Sequence, residues 1–362
     1  MADAVTLGNS LHRVGSISLG QIHLLVLCKA SLRPFVSAVE TDSEAMGVGG
    51  VGKNKGCTAL ALTVCSHRLC FVNCHLAAHQ GKIKQRHDNL ADVEAKLKLG
   101  RASAGGQSLD LSQRFSSLFL LGDLNYRIDL PRDEVLRLIR LADWGALQRA
   151  DQLSIARRAG DACAGFAEGA LAFAPTFKHV PGHGPLVAPL HQPQEEEVLS
   201  DPHTEVGKPG DGKQKQKGVG LGLRPYEASK MRVPSWCDRI LWTSLPAHAS
   251  KVVQQLYRSE PEVATSDHSP VSAHFELELR VPCMERGMVL GCISLVLSGL
   301  CAPCMLKVSS WWCYSSPLLW PPGAGLCSLG SLGRLHEGWL VLLAALRTRD
   351  GRRLQSELEV RP

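Results

Sequence analysis

The chain has 362 residues, 44% apolar and 20% charged, enough for one large core or two ordinary ones, which excludes a disordered or fibrous protein. Its 40 Lys and Arg against 34 Asp and Glu give a net charge of +6, a mild basic bias that suits phosphate-bearing substrates or anionic surfaces without defining a class. Thirteen cysteines in a long chain that opens Met1-Ala2-Asp3-Ala4, with an acid in place of a basic signal region, argue against a disulfide scaffold and for a cytoplasmic setting.

Along the chain, the apolar run Gln21 to Leu27 reads as a buried strand. Cys57 to Val64 and Leu69 to Asn73 read as a strand pair turning at Ser66-His67-Arg68. Lys82 to Lys98 places Leu90, Val93 and Leu97 at helical spacing, and Arg132 to Leu141 does the same with Leu136, Ile139 and Leu141. Leu118 to Leu121, Ile240 to Trp242 and Val271 to Phe275 are further apolar runs of strand type. Strands alternating with helices predict an α/β sandwich.

Residues 179–223 break this pattern with proline, glycine, the acidic run Glu195 to Glu197 and the spaced Lys213, Lys215 and Lys217, predicting a disordered, low-complexity loop inserted into a domain spanning 1–280. From 281 to 362 the chain is an apolar tail rich in Cys and Trp. Its stretch 287–306 is uncharged and long enough to span a bilayer, although Pro303 and several glycines and serines interrupt it. A C-terminal membrane anchor, an interfacial or packed segment, and a tail read from an altered frame all fit this composition. Cys301-Ala-Pro-Cys304 has zinc-type spacing, but no second pair accompanies it.

Three polar islands adjoin the strand-like runs: Gly122-Asp123-Leu124-Asn125-Tyr126-Arg127, Pro234-Ser235-Trp236-Cys237-Asp238-Arg239 and Ser266-Asp267-His268-Ser269-Pro270. Strand ends facing one cleft are where α/β enzymes assemble a site. Asp123 and Asn125, two apart on an extended segment, project to one side, where a carboxylate takes a proton from water and an amide supports a developing oxyanion. His268 can hold a phosphoryl oxygen if Asp238 fixes its ring, and His75, just past its strand, can reach the same point. Lys55, Lys178, Lys230, Arg232 and Arg239 are natural phosphate partners. Taken singly, each island has a plain reading as an Asx turn, an ion pair or a helix cap. Their joint order at strand ends is what singles them out.

Gly122 to Arg127 together with Arg232-Val-Pro-Ser-Trp-Cys-Asp-Arg-Ile-Leu241 resembles the signature pair of the inositol polyphosphate 5-phosphatases, a branch of the endonuclease/exonuclease/phosphatase superfamily. The resemblance extends to Asn54-Lys55-Gly56, Phe71 to His75, Phe173 to Lys178 and Ser266 to Val271, over roughly residues 11–280. It implies a deoxyribonuclease-I-like four-layer sandwich of two mixed sheets flanked by helices, here lacking its first strands. It also implies Mg²⁺-dependent hydrolysis of the 5-phosphate of a phosphoinositide or inositol polyphosphate, without a covalent intermediate.

On the resemblance, Asp123 activates water, Asn125 stabilises the pentavalent phosphorus, and His268, oriented by Asp238, holds the scissile phosphate. Asp267 and His75 complete the inner shell around phosphate and metal. Lys178 and Arg239 lie in the phosphate cleft, and Lys230 and Arg232 recognise a neighbouring 4-phosphate. The family's principal metal-binding glutamate belongs to a strand upstream of Leu11 and is expected to be absent. Lys53 stands where the family carries glycine. The expected partner surface is an anionic membrane, approached peripherally, and not nucleic acid. A superfamily nuclease and a catalytically silent phosphoinositide-binding module are the competing functions.

Overall fold

The computed structural model describes residues 11–30, 32–47, 54–100, 109–185, 223–283, 287–301 and 338–346, with the stretches from 280 onward taken as backbone alone. Two six-stranded mixed sheets form the frame. The first contains β1 (Leu11–Leu19), β2 (Ile22–Lys29), β9 (Val252–Ser259), β10 (Val271–Cys283), β11 (Gly287–Cys301) and β12 (Gly338–Leu346), in the order β1-β2-β12-β11-β10-β9. The second contains β3 (Val36–Ala45), β4 (Gly56–Val64), β5 (His67–His75), β6 (Ser117–Asp123), β7 (Ala167–Glu168) and β8 (Asp238–Ser244), in the order β3-β4-β5-β6-β8-β7. β5 and β6 run parallel, as do β11 and β12, while the other pairs are antiparallel.

The apolar runs of β4, β5 and β6 are continuous because both faces of the second sheet are covered. Strand alternation divides them. Leu60, Leu62, Phe71, Phe119, Leu121 and Ile240 face the first sheet, where they meet Leu24, Val26, Val271 and Phe275. Phe119 and Trp242 both pack edge-on against Phe275, at centroid distances of 5.1 and 4.9 Å, and so span the gap between sheets. Each such fully buried side chain contributes roughly 1.5–3 kcal/mol.

The opposite row, Cys57, Ala59, Cys70, Val72, Leu118 and Leu120, packs against α1 (Ile83–Lys96), through Leu90 and Val93, and against α4 (Gln152–Ala159), through Leu153 and Ala156. Two further helices, α2 (Arg132–Arg140) and α3 (Trp144–Arg149), close around Trp236 with Val135, Ile139 and Leu147.

The predicted elements that carried a strong apolar period are found within about two residues of their expected ends, except that the strand expected over Val271 to Phe275 runs on to Cys283 as β10. β1, β3, β9, α3 and α4 lack such a period. β3 in particular is a charged edge whose Glu40 and Asp42 side chains accept from the backbone N–H groups of Gly100 and Lys98, at 2.9 and 2.7 Å.

Part of the loop insertion predicted over 179–223 falls on described residues. His179 is 3% exposed and stacked on Tyr226 at 4.5 Å, and only residues 186–222 of that range lie outside the described residues. Of the stretch 287–306, read from the sequence as a membrane, interfacial or packed segment, residues 287–301 form β11, paired with β10 on one side and with β12 on the other, and 302–306 lie outside the described residues. β12 pairs in turn with β2, so the tail strands fill the middle of the first sheet. Among the described residues no helix is long and apolar enough to cross a membrane. Cys304, half of the zinc-type pair, lies outside the described residues.

Candidate active site

Register builds the site. His75 on β5 pairs with Asp123 on β6, and Asp123 pairs with Asp238 on β8. All three continue the rows that face the first sheet: Phe71 and Asn73 lead to His75, Phe119 and Leu121 to Asp123, and Ile240 back to Asp238. Three neighbouring strands thus present one polar residue each at one end of the sandwich, and β4 brings Lys55, just before Gly56, to the same end. Gly122 sits at φ +115°, and a Cβ there would collide with the Cys74 carbonyl and the Asn73 side chain, so β6 approaches β5 this closely because the position is glycine. His268 comes from the other sheet, three residues before β10, and its Nδ1 lies 2.8 Å from Asp238 Oδ2 across the gap.

Asn125 reaches Asp123 by a different route from the extended segment expected. Strand β6 ends at Asp123, and Asn125 turns into the left-handed region at φ +56°, which Asn tolerates better than most residues. Its backbone N–H donates to Asp123 Oδ1 at 3.0 Å, and its Nδ2 donates to Asp123 Oδ2 at 2.9 Å and to the Leu76 carbonyl at 3.2 Å. His75 Nε2 lies 3.3 Å from Asp123 Oδ2 and in close contact with Lys55 Nζ. Thr176 donates to Asp238 Oδ2 at 2.7 Å, the same oxygen that faces His268.

The charges are set by these contacts. Burial disfavours the Asp123 carboxylate, yet hydrogen bonding from His75 and the nearby His268 and Lys55 overcome this and hold its pKa well below the usual range. Burial likewise favours a neutral His268, but Asp238, Asp123 and Asp267 outweigh it and raise its pKa to about 9. Asp238 is pushed up by burial, against the pull of His268, so the pair holds its proton as a unit. Lys55 is pushed down by burial, with Arg127 adding to the effect. The result at neutral pH is a fixed anion at Asp123 facing a cationic imidazole.

A cleft of about 360 Å³ opens onto this cluster, lined by Lys55, His75, Asp123, Asn125, Arg232 and His268 among others. Lys230 stands on the exposed rim loop two residues before Arg232. Lys178 is bound by Asp267 at 2.7 Å. Burial opposes ionisation of Asp267, but His268 and Lys178 keep its pKa low. Among the described residues, the His, Cys, Asp and Glu side chains near enough to share an ion are Asp123, Asp238 and His268, with ligand atoms within 4.8 Å of one another. Asp267, the metal residue expected from sequence, is outside that group.

Arg239 is a correction. It follows Asp238 on β8 and therefore points to the opposite face, where it is 0% exposed. Its guanidinium binds Asp151, at the N-cap of α4, at 2.9 Å and Glu168 on β7 at 2.6 and 2.8 Å. It joins helix to sheet and does not reach the cleft.

Sequence reasoning passed over Arg127, Thr176 and Phe177. All three lie inside quoted motifs, but their roles depend on chain segments far apart. Thr176 to His179 runs between the second and third islands: Phe177 pairs with Ser235 on one side, while the backbone N–H groups of Ser269 and His179 bond Thr176 and Asp267 across it on the other.

A mixed two-sheet sandwich with a carboxylate, amide and imidazole cluster at its strand ends defines a class of phosphoester-cleaving folds. The pattern described as Endonuclease/Exonuclease/phosphatase family 2 matches residues 8–184 and 222–274, and the chain belongs to that family.

Within the family it is similar to the inositol 5-phosphatases. Phosphatidylinositol 3,4,5-trisphosphate 5-phosphatase 2A of Danio rerio is 33% identical over 260 residues, covering 72% of this chain and 18% of the relative. Phosphatidylinositol 4,5-bisphosphate 5-phosphatase A of Homo sapiens is 31% identical over 279 residues, covering 73% of this chain and 23% of the relative. The chain therefore spans less than a quarter of the length of these two relatives. The solved inositol polyphosphate 5-phosphatase domain of SPsynaptojanin, in complex with inositol (1,4)-bisphosphate and calcium ion, matches with a TM-score of 0.56 at 26% identity, over 74% of this chain and 63% of that one.

Proposed function

We propose that this chain hydrolyses the 5-phosphate of a phosphoinositide or inositol polyphosphate with the help of Mg²⁺. The observation that carries the reading is the row His75, Asp123 and Asp238 on three adjacent strands, faced across the gap by His268 at 2.8 Å from Asp238.

The donor set fits a hard divalent cation. Magnesium is typically held by one or two carboxylates, waters and substrate phosphate oxygens, and with His268 cationic the Asp123 carboxylate is the one that would hold it. Bound there, the ion supplies charge neutralisation on the phosphate oxygens. Asp267, anionic beside Lys178, adds negative charge to the same side.

The residues divide the remaining work. Asp123, with its depressed pKa, is a weak proton sink and acts by orienting the attacking water, which suffices for the loose transition state of phosphoryl transfer. Water oxygen bonds to phosphorus as the bond to the ring oxygen breaks. The protonated His268 stands where negative charge gathers on the phosphoryl oxygens, and Asn125, whose Nδ2 donates to Asp123 and to the Leu76 carbonyl, holds the water-orienting carboxylate in place. Lys55 and Arg232 line the cleft and suit the ring phosphates, and Lys230 extends that cationic edge toward a neighbouring 4-phosphate. Met231, 62% exposed between Lys230 and Arg232, gives the rim an apolar tip flanked by cations, which suits an anionic membrane surface approached peripherally.

The test is release of inorganic phosphate from soluble inositol 1,4,5-trisphosphate and from vesicles carrying phosphatidylinositol 4,5-bisphosphate, with Mg²⁺. Release that Asp123→Ala lowers by roughly a thousandfold or more is the expected result. Binding to the vesicles with no release above that variant would identify a silent lipid-binding module, and cleavage of duplex DNA would identify a nuclease.

A further inference from the structure

Asn125 has a symmetric-looking terminal amide, and either of its two flips fills the same space. Only one of them puts N–H groups toward Asp123 and the Leu76 carbonyl. The other would set Oδ1 against a buried anion. The neighbour that decides between them is Arg127: its Nη2 donates to Asn125 Oδ1 in a close contact, and its Nε donates to the Asn125 carbonyl oxygen at 3.1 Å. One planar guanidinium thus grips the backbone and the amide of the same residue.

Arg127 is itself held. It is 6% exposed, its backbone N–H donates to Gln152 Oε1 at 3.0 Å, and its guanidinium carbon lies 4.4 Å from the centre of the Phe177 ring. The same ring meets His268 at a centroid distance of 4.7 Å. We propose that Arg127, seated on Phe177, is a positioning residue that fixes the flip of the Asn125 amide, so that its N–H groups always face Asp123 and the Leu76 carbonyl and hold that carboxylate in place. A lysine cannot replace it, because a single ammonium on a flexible stem does not span both acceptors in one plane.

The inference rests on the phosphatase reading, and two readouts keep the two separable. The first is a kinetic cycle on the full chain with Arg127→Met, Asn125→Ala and the double variant. Arg127→Met is expected to lower kcat by roughly 10- to 100-fold, with KM changed less than about threefold, and the double variant to lie within about threefold of Asn125→Ala. Arg127→Lys is expected to recover less than half of the loss, and serves alone if the Met variant does not fold. Losses that multiply, or a raised KM with kcat retained, would overturn the proposal in favour of an independent or substrate-binding role.

The second readout needs no turnover. In the NMR spectrum of the unliganded chain, the two Asn125 side-chain amide protons, assigned by their disappearance in Asn125→Ala, are expected to be well separated and slow to exchange, and to lose that protection in the Arg127 variants. If the native chain releases no phosphate, the phosphatase reading fails and the amide signal still decides: unchanged protection in the variants overturns the assignment of Arg127.

Discussion

Asp238 determines the state of its partner His268. Three carboxylates raise the His268 pKa to about 9 against the opposing effect of burial, and Asp238 is the largest contributor among them. In the proposed reaction a protonated His268 is the form that holds a phosphoryl oxygen, so kcat/KM is expected to stay level through neutral pH and to fall as pH rises through about 9. Asp238→Asn removes the main charge, and its alkaline limb should move toward the ordinary 6.5, which a pH profile of kcat/KM would show. An unshifted limb would assign the titration to another group. The same shift is linked to stability with a definite sign. A pKa raised on folding stabilises fully below about 6.5, and that contribution is lost as pH rises through about 9.

At the scale of elements, Arg239 joins the start of α4, β7 and β8 through Asp151 and Glu168, all three side chains being nearly or fully buried. Arg239→Met would leave Asp151 with no cation and Glu168 with Arg157 alone. Removing one member of such a buried cluster is expected to cost about 3–5 kcal/mol, visible as a lower denaturant midpoint with an unchanged slope. A loss under about 1 kcal/mol would mean that water reaches these carboxylates.

The elements also explain what was legible in the sequence. Asp123, Asp238, His75 and His268 could be placed together because each sits beside an apolar run whose alternation fixes its face. Arg239 shares an island with Asp238, yet a one-residue step on a strand reverses its direction, and motif membership alone does not carry that sign. Asn125 was expected in the right place on the assumption of an extended segment that the left-handed turn replaces. Arg127 and Phe177 were invisible as a pair, because the 49 intervening positions give no periodic signal of a ring stacking on a guanidinium.

The whole molecule depends on strands from distant parts of the chain. β11 and β12 lie between β2 and β10, so ending the chain at Cys283 would expose two unpaired central edges at once. Such edges are templates for pairing between molecules. The shortened chain is expected to elute as large aggregates in size-exclusion chromatography with light scattering, at concentrations where the full chain does not. A monodisperse product with an unchanged melting temperature would mean that the tail strands contribute little.

The Phe119, Trp242 and Phe275 contacts have a consequence for precision. They set the spacing between sheets, and the Asp238 to His268 hydrogen bond is measured across the same gap. Each sheet could keep its own ladder intact while sliding over the other. An ångström of slip would then part imidazole from carboxylate with no strand disturbed. The aromatic trio works as a caliper: its ring sizes are a dimension of the active site, although none of the three reaches the cleft.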